Sequence, residues 1–200
     1  MQKQTNEAIA VNRQKTMKLA KMGMLVAISI LLVNIHFPIF GPVAFLEYDP
    51  ADIPILIGGF AFGPLAGVCI TIVTAILQGL TVSAQSGLYG ILMHIVATST
   101  LVLVSSTIYK MKKNRKMAVL GLLCGTLAMT AIMIPANYLI TPYFMNVPKQ
   151  AITGILPFIV GFNLIKAGVN SVSRLSCIKK YRSFCISFNL SYETEYGYRL

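Results

Sequence analysis

Phe45-Leu46-Glu47-Tyr48-Asp49-Pro50-Ala51-Asp52-Ile53-Pro54 holds three of the chain's six acidic residues within ten positions. The other acids are Glu7, Glu193 and Glu195, so no further negative charge lies between Glu7 and Glu193. Long apolar sequence of the kind that dissolves in a bilayer flanks the stretch on both sides. A charged, proline-stiffened insert in such surroundings belongs at an interface and has a purpose there. It reads as the rim and lid of a binding site.

The 200 residues are 56% hydrophobic and 12% charged, whereas about a quarter of a soluble domain's residues are charged. This is the composition of an integral membrane protein. The formal charge of +11 does not point to nucleic acid, because the basic residues form three patches separated by apolar spans, as topology signals do. Cys69 and Cys124 sit in apolar spans and Cys177 and Cys185 in the tail, without C-x-x-C or Cys/His spacing, so neither a disulfide nor a metal is implied. The first apolar run has no small-x-small cleavage site after it and more spans follow, so it reads as an uncleaved membrane helix.

Residues 1–21 carry Lys3, Arg13, Lys15, Lys18 and Lys21 against Glu7, which the positive-inside rule places in the cytoplasm. The first span runs from about Leu19 to Phe37. Within it Gly23 and Ala27 form a small-xxx-small pair that lets another helix approach closely; a plain span with incidental small residues is the alternative. Phe37 to Ala44, broken by Pro38, Gly41 and Pro42, reads as an ordered interfacial loop rather than a helix. Beyond it, Asp49 is placed to cap a helix with Pro50 at its first position, or Asp52 with Pro54 in its first turn.

Ala51 to Val82 is too long for one span of about 20 residues and too short for two full ones. Gly58, Gly59, Gly63 and Pro64 offer a break, and the cluster Lys110, Lys112, Lys113, Arg115 and Lys116 reaches the cytoplasmic side only if the chain crosses twice here. A short second helix therefore ends near Phe62 and a third runs from Leu65 to about Val82. Gly59, Gly63 and Gly67 mark a tight contact around that turn, although Gly63 is equally well explained as a loop glycine.

The fourth span is about Leu88 to Tyr109 and the fifth about Met117 to Ile140, with Gly121 and Gly125 as a close-packing pair and Pro135 predicting a kink near Asn137. After an outer loop from Thr141 to Gln150, the sixth span starts near Ile152. Asn163, Lys166 and Asn170 lie on one face of it, which predicts a cavity or polar partner on that side; a Lys166 that snorkels to the surface is the competing reading. From Ser173 the composition turns to Ser, Tyr, Lys and Arg. The expected fold is thus an all-α membrane protein of six transmembrane helices, the second short, with both termini cytoplasmic. Residues 1–172 form the six-helix substrate-binding domain and residues 173–200 a divergent basic cytoplasmic tail.

Catalytic constellations are scarce. The two histidines are His36 and His94, and there is no H-E-x-x-H, no G-x-S-x-G and no phosphate-binding glycine loop. His94 reads as a hydrogen-bonded packing residue, and Gln78 and the Thr71/Thr74 pair as glue between helices, with a contact to a ligand as the alternative for each. The chain is read as no enzyme and as needing no cofactor; the alternative from another class is an intramembrane enzyme using Asp49 and Asp52 as paired carboxylates.

The acidic stretch, together with Gly58-Gly59-Phe60-Ala61-Phe62-Gly63-Pro64-Leu65-Ala66-Gly67, Asn137-Tyr138 and Phe162-Asn163-Leu164-Ile165-Lys166-Ala167-Gly168, resembles the riboflavin-specific substrate-binding component of energy-coupling factor (ECF) vitamin transporters. The resemblance covers about residues 15–172. It implies a multi-pass protein of the bacterial cell membrane that captures riboflavin outside and delivers it inward with a transmembrane coupling protein and two ATPase subunits. It also implies a substrate site at Phe45, Leu46, Glu47, Tyr48, Asp49, Asn137, Asn163 and Lys166, to which Asn170 is added from its place on the polar face, and a partner contact at Gly23 and Ala27. A component for another vitamin is the alternative within the class. One departure is the tail: the family's sixth helix stays apolar past the position of Val172, whereas here Ser173-Arg174-Leu175-Ser176 follows.

Overall fold

The computed structural model describes residues 2–43 and 45–196, with side chains described from residue 9 to 176 except 10, 42, 44 and 85. It contains six α-helices: α1 (Gln2–Val33), α2 (Asp52–Phe62), α3 (Pro64–Leu80), α4 (Gly87–Met111), α5 (Arg115–Met145) and α6 (Lys149–Tyr196). Four segments are long and apolar enough to cross a membrane, namely Val11–Val33, Gly87–Met111, Arg115–Met145 and Lys149–Ser176, while α2 and α3 are shorter apolar helices. Large apolar side chains point outward, with Leu65 77% and Leu88 81% exposed, as expected of a bundle whose solvent is lipid.

The break between α2 and α3 falls where the glycines and Pro64 predict it. Gly63 holds φ +99°, a conformation that favours glycine, and Pro64 opens α3 at its first turn. A Cβ on Gly67 would lie 2.8 Å from the Cα of Gly59 and meet the Val102 side chain. Gly59 and Gly67 therefore bring the backbones of α2 and α3 together and let the Val102 and Ser106 side chains of α4 pack against them, and Gly63 is the turn. Gly121 and Gly125 do the same for α5, facing the carbonyls of Ser105 and Leu101 at 2.6 and 2.9 Å from where their Cβ atoms would be.

Ile55, Leu56, Ile70, Leu101, Val102, Leu122 and Met129 form the buried centre. Two of the buried hydroxyls between the helices turn back on their own backbone, Thr71 donating to Gly67 O at 2.9 Å and Ser105 to Leu101 O at 2.6 Å, as small polar groups at helix contacts do.

Several boundaries differ from those expected. Helix α1 stops at Val33 rather than Phe37, since Asn34 turns its amide back onto Ile30 O at 3.0 Å and the chain then pairs as a strand. The interfacial loop is a small hairpin: β1 (Phe37–Pro38) runs antiparallel to β2 (Glu47–Tyr48), with a 3-10 turn at Gly41–Val43 between them. Helix α5 continues through Pro135 and Pro142 to Met145, which shortens the outer loop. Helix α6 starts at Lys149 and its backbone continues past Val172 to Tyr196. The side chains of Cys177 and Cys185 lie outside the described residues.

Candidate functional site

The hairpin sits over the start of α6. Val43, Ile152 and Ile159 are buried together, with Phe40, Phe45 and Leu46 packed against them. Phe45 also faces the Phe144 ring at 6.2 Å, and Phe40 faces Phe158 at 6.0 Å. The hairpin is thus held by apolar contacts to α5 and α6 and, where it leads into α2, by polar contacts.

Those polar contacts centre on the two aspartates. Lys166 Nζ donates to Asp49 Oδ2 at 2.8 Å, and the backbone N–H of Ala51 donates to Asp49 Oδ1 at 3.1 Å. Asp52 accepts from Thr98 Oγ1 at 2.8 Å through Oδ1 and from Asn170 Nδ2 at 3.1 Å through Oδ2. The Asn170 carbonyl in turn accepts from the Tyr48 hydroxyl at 2.9 Å. Asp49 and Asp52 are 3% and 0% exposed. Burial alone would raise the Asp49 carboxyl, but Lys166 above all, with His94 and the Ala51 amide, brings it below its ordinary value. Burial, then the two aspartates, raises the Tyr48 phenol.

The helix-cap reading of Asp52 does not hold: α2 begins without a side-chain cap, because the carboxylate is directed across the bundle to α4 and α6. Surface snorkelling of Lys166 does not hold either, since the residue is 8% exposed and ion-paired inside. Asp49 and Asp52 are each held by a separate set of donors.

Beneath the hairpin lies a cavity lined by Phe45, Leu46, Glu47 and Asp49 of the loop, Gln78 of α3, His94 and Thr98 of α4, Met129 and Met133 of α5, and Phe162, Asn163 and Lys166 of α6. Six of the expected substrate residues therefore share one cavity wall: Phe45, Leu46, Glu47, Asp49, Asn163 and Lys166. Tyr48, Asn137 and Asn170 stand behind it. Asn137 spends both ends of its amide inside α5, donating to Met133 O at 2.8 Å and accepting from Thr141 at 3.0 Å. Lys166 keeps two of its three donors beyond Asp49, and Asn163, bonded through Nδ2 to Ile159 O at 2.8 Å, keeps its carbonyl oxygen for the cavity. Gly23 and Ala27 are exposed on α1, and a Cβ on Gly23 would meet nothing within 4 Å.

His94 and Gln78, read in the sequence first as helix-packing groups, line the cavity. A single His or Gln in an apolar span looks like packing, and only the fold turns both toward the cavity. His94 Nε2 and Gln78 Oε1 are buried without a hydrogen-bond partner, and His94 stands 3.9 Å from Asp52, beyond hydrogen-bond reach. Among the described residues no group of three or more metal-ligating side chains occurs.

The family profile described as "ECF transporter, substrate-specific component" matches residues 17–175. The chain belongs to this family. Its members are substrate-specific components of transporters, and the alternative of an intramembrane enzyme is set aside with that membership. The chain is similar to the riboflavin transporter FmnP of Bacillus subtilis strain 168, 31% identical over 79% of this chain and 88% of that one. It is also similar to the riboflavin transporter RibU of Staphylococcus aureus strain TCH60, 30% identical over 87% of this chain and 95% of that one. A solved structure of the S component of a bacterial ECF transporter matches with a TM-score of 0.77 and 29% identity, covering 86% of this chain and 98% of that chain. The family profile's match runs past Val172 and takes in Ser173 and Arg174.

Proposed function

We propose that this protein is the riboflavin-binding component of an ECF-type vitamin importer, taking riboflavin into the cavity beneath the hairpin. The observation that carries the reading is the combination of ECF family membership with a cavity whose chemistry suits a flavin. An isoalloxazine ring is flat and aromatic with a polar edge, so it calls for apolar walls and a few well-placed polar groups. Phe45, Leu46, Met129, Met133 and Phe162 supply the walls, and Asn163, Lys166 and Gln78 the polar groups. Glu47 at the rim and Asp49 suit the hydroxyls of the ribityl chain. The naming of the relatives FmnP and RibU as riboflavin transporters supports this ligand over other vitamins.

In this reading all six helices cross the bacterial cell membrane, α2 and α3 as shortened crossings. Both termini and the basic α4–α5 turn face the cytoplasm, and the hairpin faces outward. Residues 1–172 bind the vitamin and residues 173–200 form a cytoplasmic extension. Delivery inward takes place in a complex with two ATPase subunits and a transmembrane coupling protein, and it is the coupling protein that meets the exposed Gly23/Ala27 face of α1. Because the chain has no nucleotide-binding loop, it captures substrate and depends on those partners for energy.

The test is fluorescence titration of riboflavin into the flavin-stripped, detergent-purified protein, with thiamine and biotin as controls. Saturable quenching specific to riboflavin is expected. A monodisperse, folded sample that binds thiamine or biotin instead would overturn the ligand while leaving the family intact.

A further inference from the structure

Arg174, near the end of the α6 span, is 2% exposed. Its guanidinium carbon stands 3.4 Å from the centre of the Phe60 ring on α2 and 5.9 Å from that of Tyr109 on α4. The two rings pack together with centroids 4.7 Å apart. Nε and Nη1 are buried and have no hydrogen-bond acceptor among the described residues. Ser106 and Ser171, one turn before Tyr109 and Arg174 on their own helices, also bury hydroxyls without a partner.

A guanidinium remains charged throughout the physiological range, and a buried charge is costly unless a counter-ion meets it. Aromatic faces offset only part of that cost. From Ile53 to Tyr192 the chain has no Asp or Glu. Asp49 and Asp52 are engaged at the cavity, and Lys166, which marks it on α6, is eight residues from Arg174, about 12 Å along the axis. The missing negative charge must therefore come from outside this part of the chain.

The surroundings indicate which anion. Lys110, Lys112, Lys113, Arg115 and Lys116 are all exposed and begin one residue after Tyr109. They put a row of cations beside the guanidinium at the end of the spanning helices, where phospholipid headgroups lie. Basic pockets between membrane helices beside such a row are the arrangement that holds anionic headgroups. We propose that Arg174, with the Ser106 and Ser171 hydroxyls and the basic α4–α5 turn, forms a binding site for the phosphate of an anionic phospholipid. A carboxylate on a protein partner would meet the guanidinium alone, whereas a phospholipid phosphate is met by the guanidinium and the adjacent exposed cations together.

The test uses the full chain in detergent, titrated with phosphatidylglycerol, with phosphatidylcholine of the same acyl chains and with inorganic phosphate, and read by native mass spectrometry. Retention of phosphatidylglycerol about tenfold above phosphatidylcholine is expected for the unaltered chain, falling toward the phosphatidylcholine level in Arg174→Gln and part of the way in a triple Lys110→Gln, Lys112→Gln, Lys113→Gln variant. Equal retention of the two lipids by the unaltered chain overturns the proposal, and that measurement needs no variant to fold. Unchanged phosphatidylglycerol retention in the triple lysine variant also overturns it. Displacement of the lipid by millimolar phosphate would assign the site to free phosphate instead. Loss of assembly with the coupling subunits in Arg174→Gln, without any lipid preference, would assign it to a protein carboxylate.

Discussion

Lys166 Nζ lies 2.8 Å from Asp49 Oδ2, joining the polar face of α6 to the segment between the hairpin and α2 across 117 positions of sequence. The same lysine lines the cavity. The contact that fixes the hairpin's base and a donor presented to the cavity therefore belong to one ammonium group.

Lys166→Met should consequently do two things. It leaves the buried Asp49 carboxylate without its cation, a loss of about 3–5 kcal/mol for a pair broken on one side, and it weakens riboflavin binding by about 1–3 kcal/mol through the lost donor. Adding Asp49→Asn should restore much of the thermal stability but not the affinity. Thermal unfolding and flavin quenching, measured on both variants, separate the two effects; equal stability of the single variant and the unaltered protein would show that the pair carries no structural weight.

Thr98→Val removes the donor to Asp52 Oδ1 while keeping the side-chain shape. The expected cost is about 1–3 kcal/mol, because one side of a buried carboxylate is left unsatisfied. The melting temperature in detergent is the readout, and a change smaller than that of an exposed control such as Thr81→Val would contradict the hydrogen bond's role.

Gly67→Ala places a methyl group against the Gly59 backbone, which cannot swing aside as a side chain can. A loss of about 1–3 kcal/mol is expected from overpacking, whereas Gly154→Ala, with nothing within 4 Å of the new Cβ, should be nearly neutral. Comparable melting temperatures for the two variants would argue against the close approach of α2 and α3.

Replacing Gly23 and Ala27 by leucine should leave riboflavin binding intact and stop uptake, since both are exposed on α1 and a Cβ on Gly23 would meet nothing within 4 Å among the described residues. Co-purification with the coupling subunits should fail in parallel. Loss of binding as well would mean that α1 is needed for the site itself.

Much of this was legible in the sequence because it rests on local rules. Glycine and proline at 63 and 64 break the apolar run at the observed place, and the spacing of Asn163, Lys166 and Asn170 puts them on one buried face. What each of those groups bonds to was not legible: the partners of Asp52 and Asp49 come from α4 and α6, and no periodicity carries pairing over such distances. The hairpin was missed because two residue pairs, one containing Pro38, leave almost no alternation to read. Arg174 was hidden by the change of composition after Val172, which gives no sign that this one arginine is buried.

The Lys166–Asp49 pair bears on how such a protein responds to voltage. An isolated ammonium group displaced through the field of an energised membrane would do work of about 2.3 kcal/mol per 100 mV. Bound to its carboxylate at 2.8 Å, it moves as part of a neutral unit, so the membrane potential neither drives nor resists a motion that carries the two together.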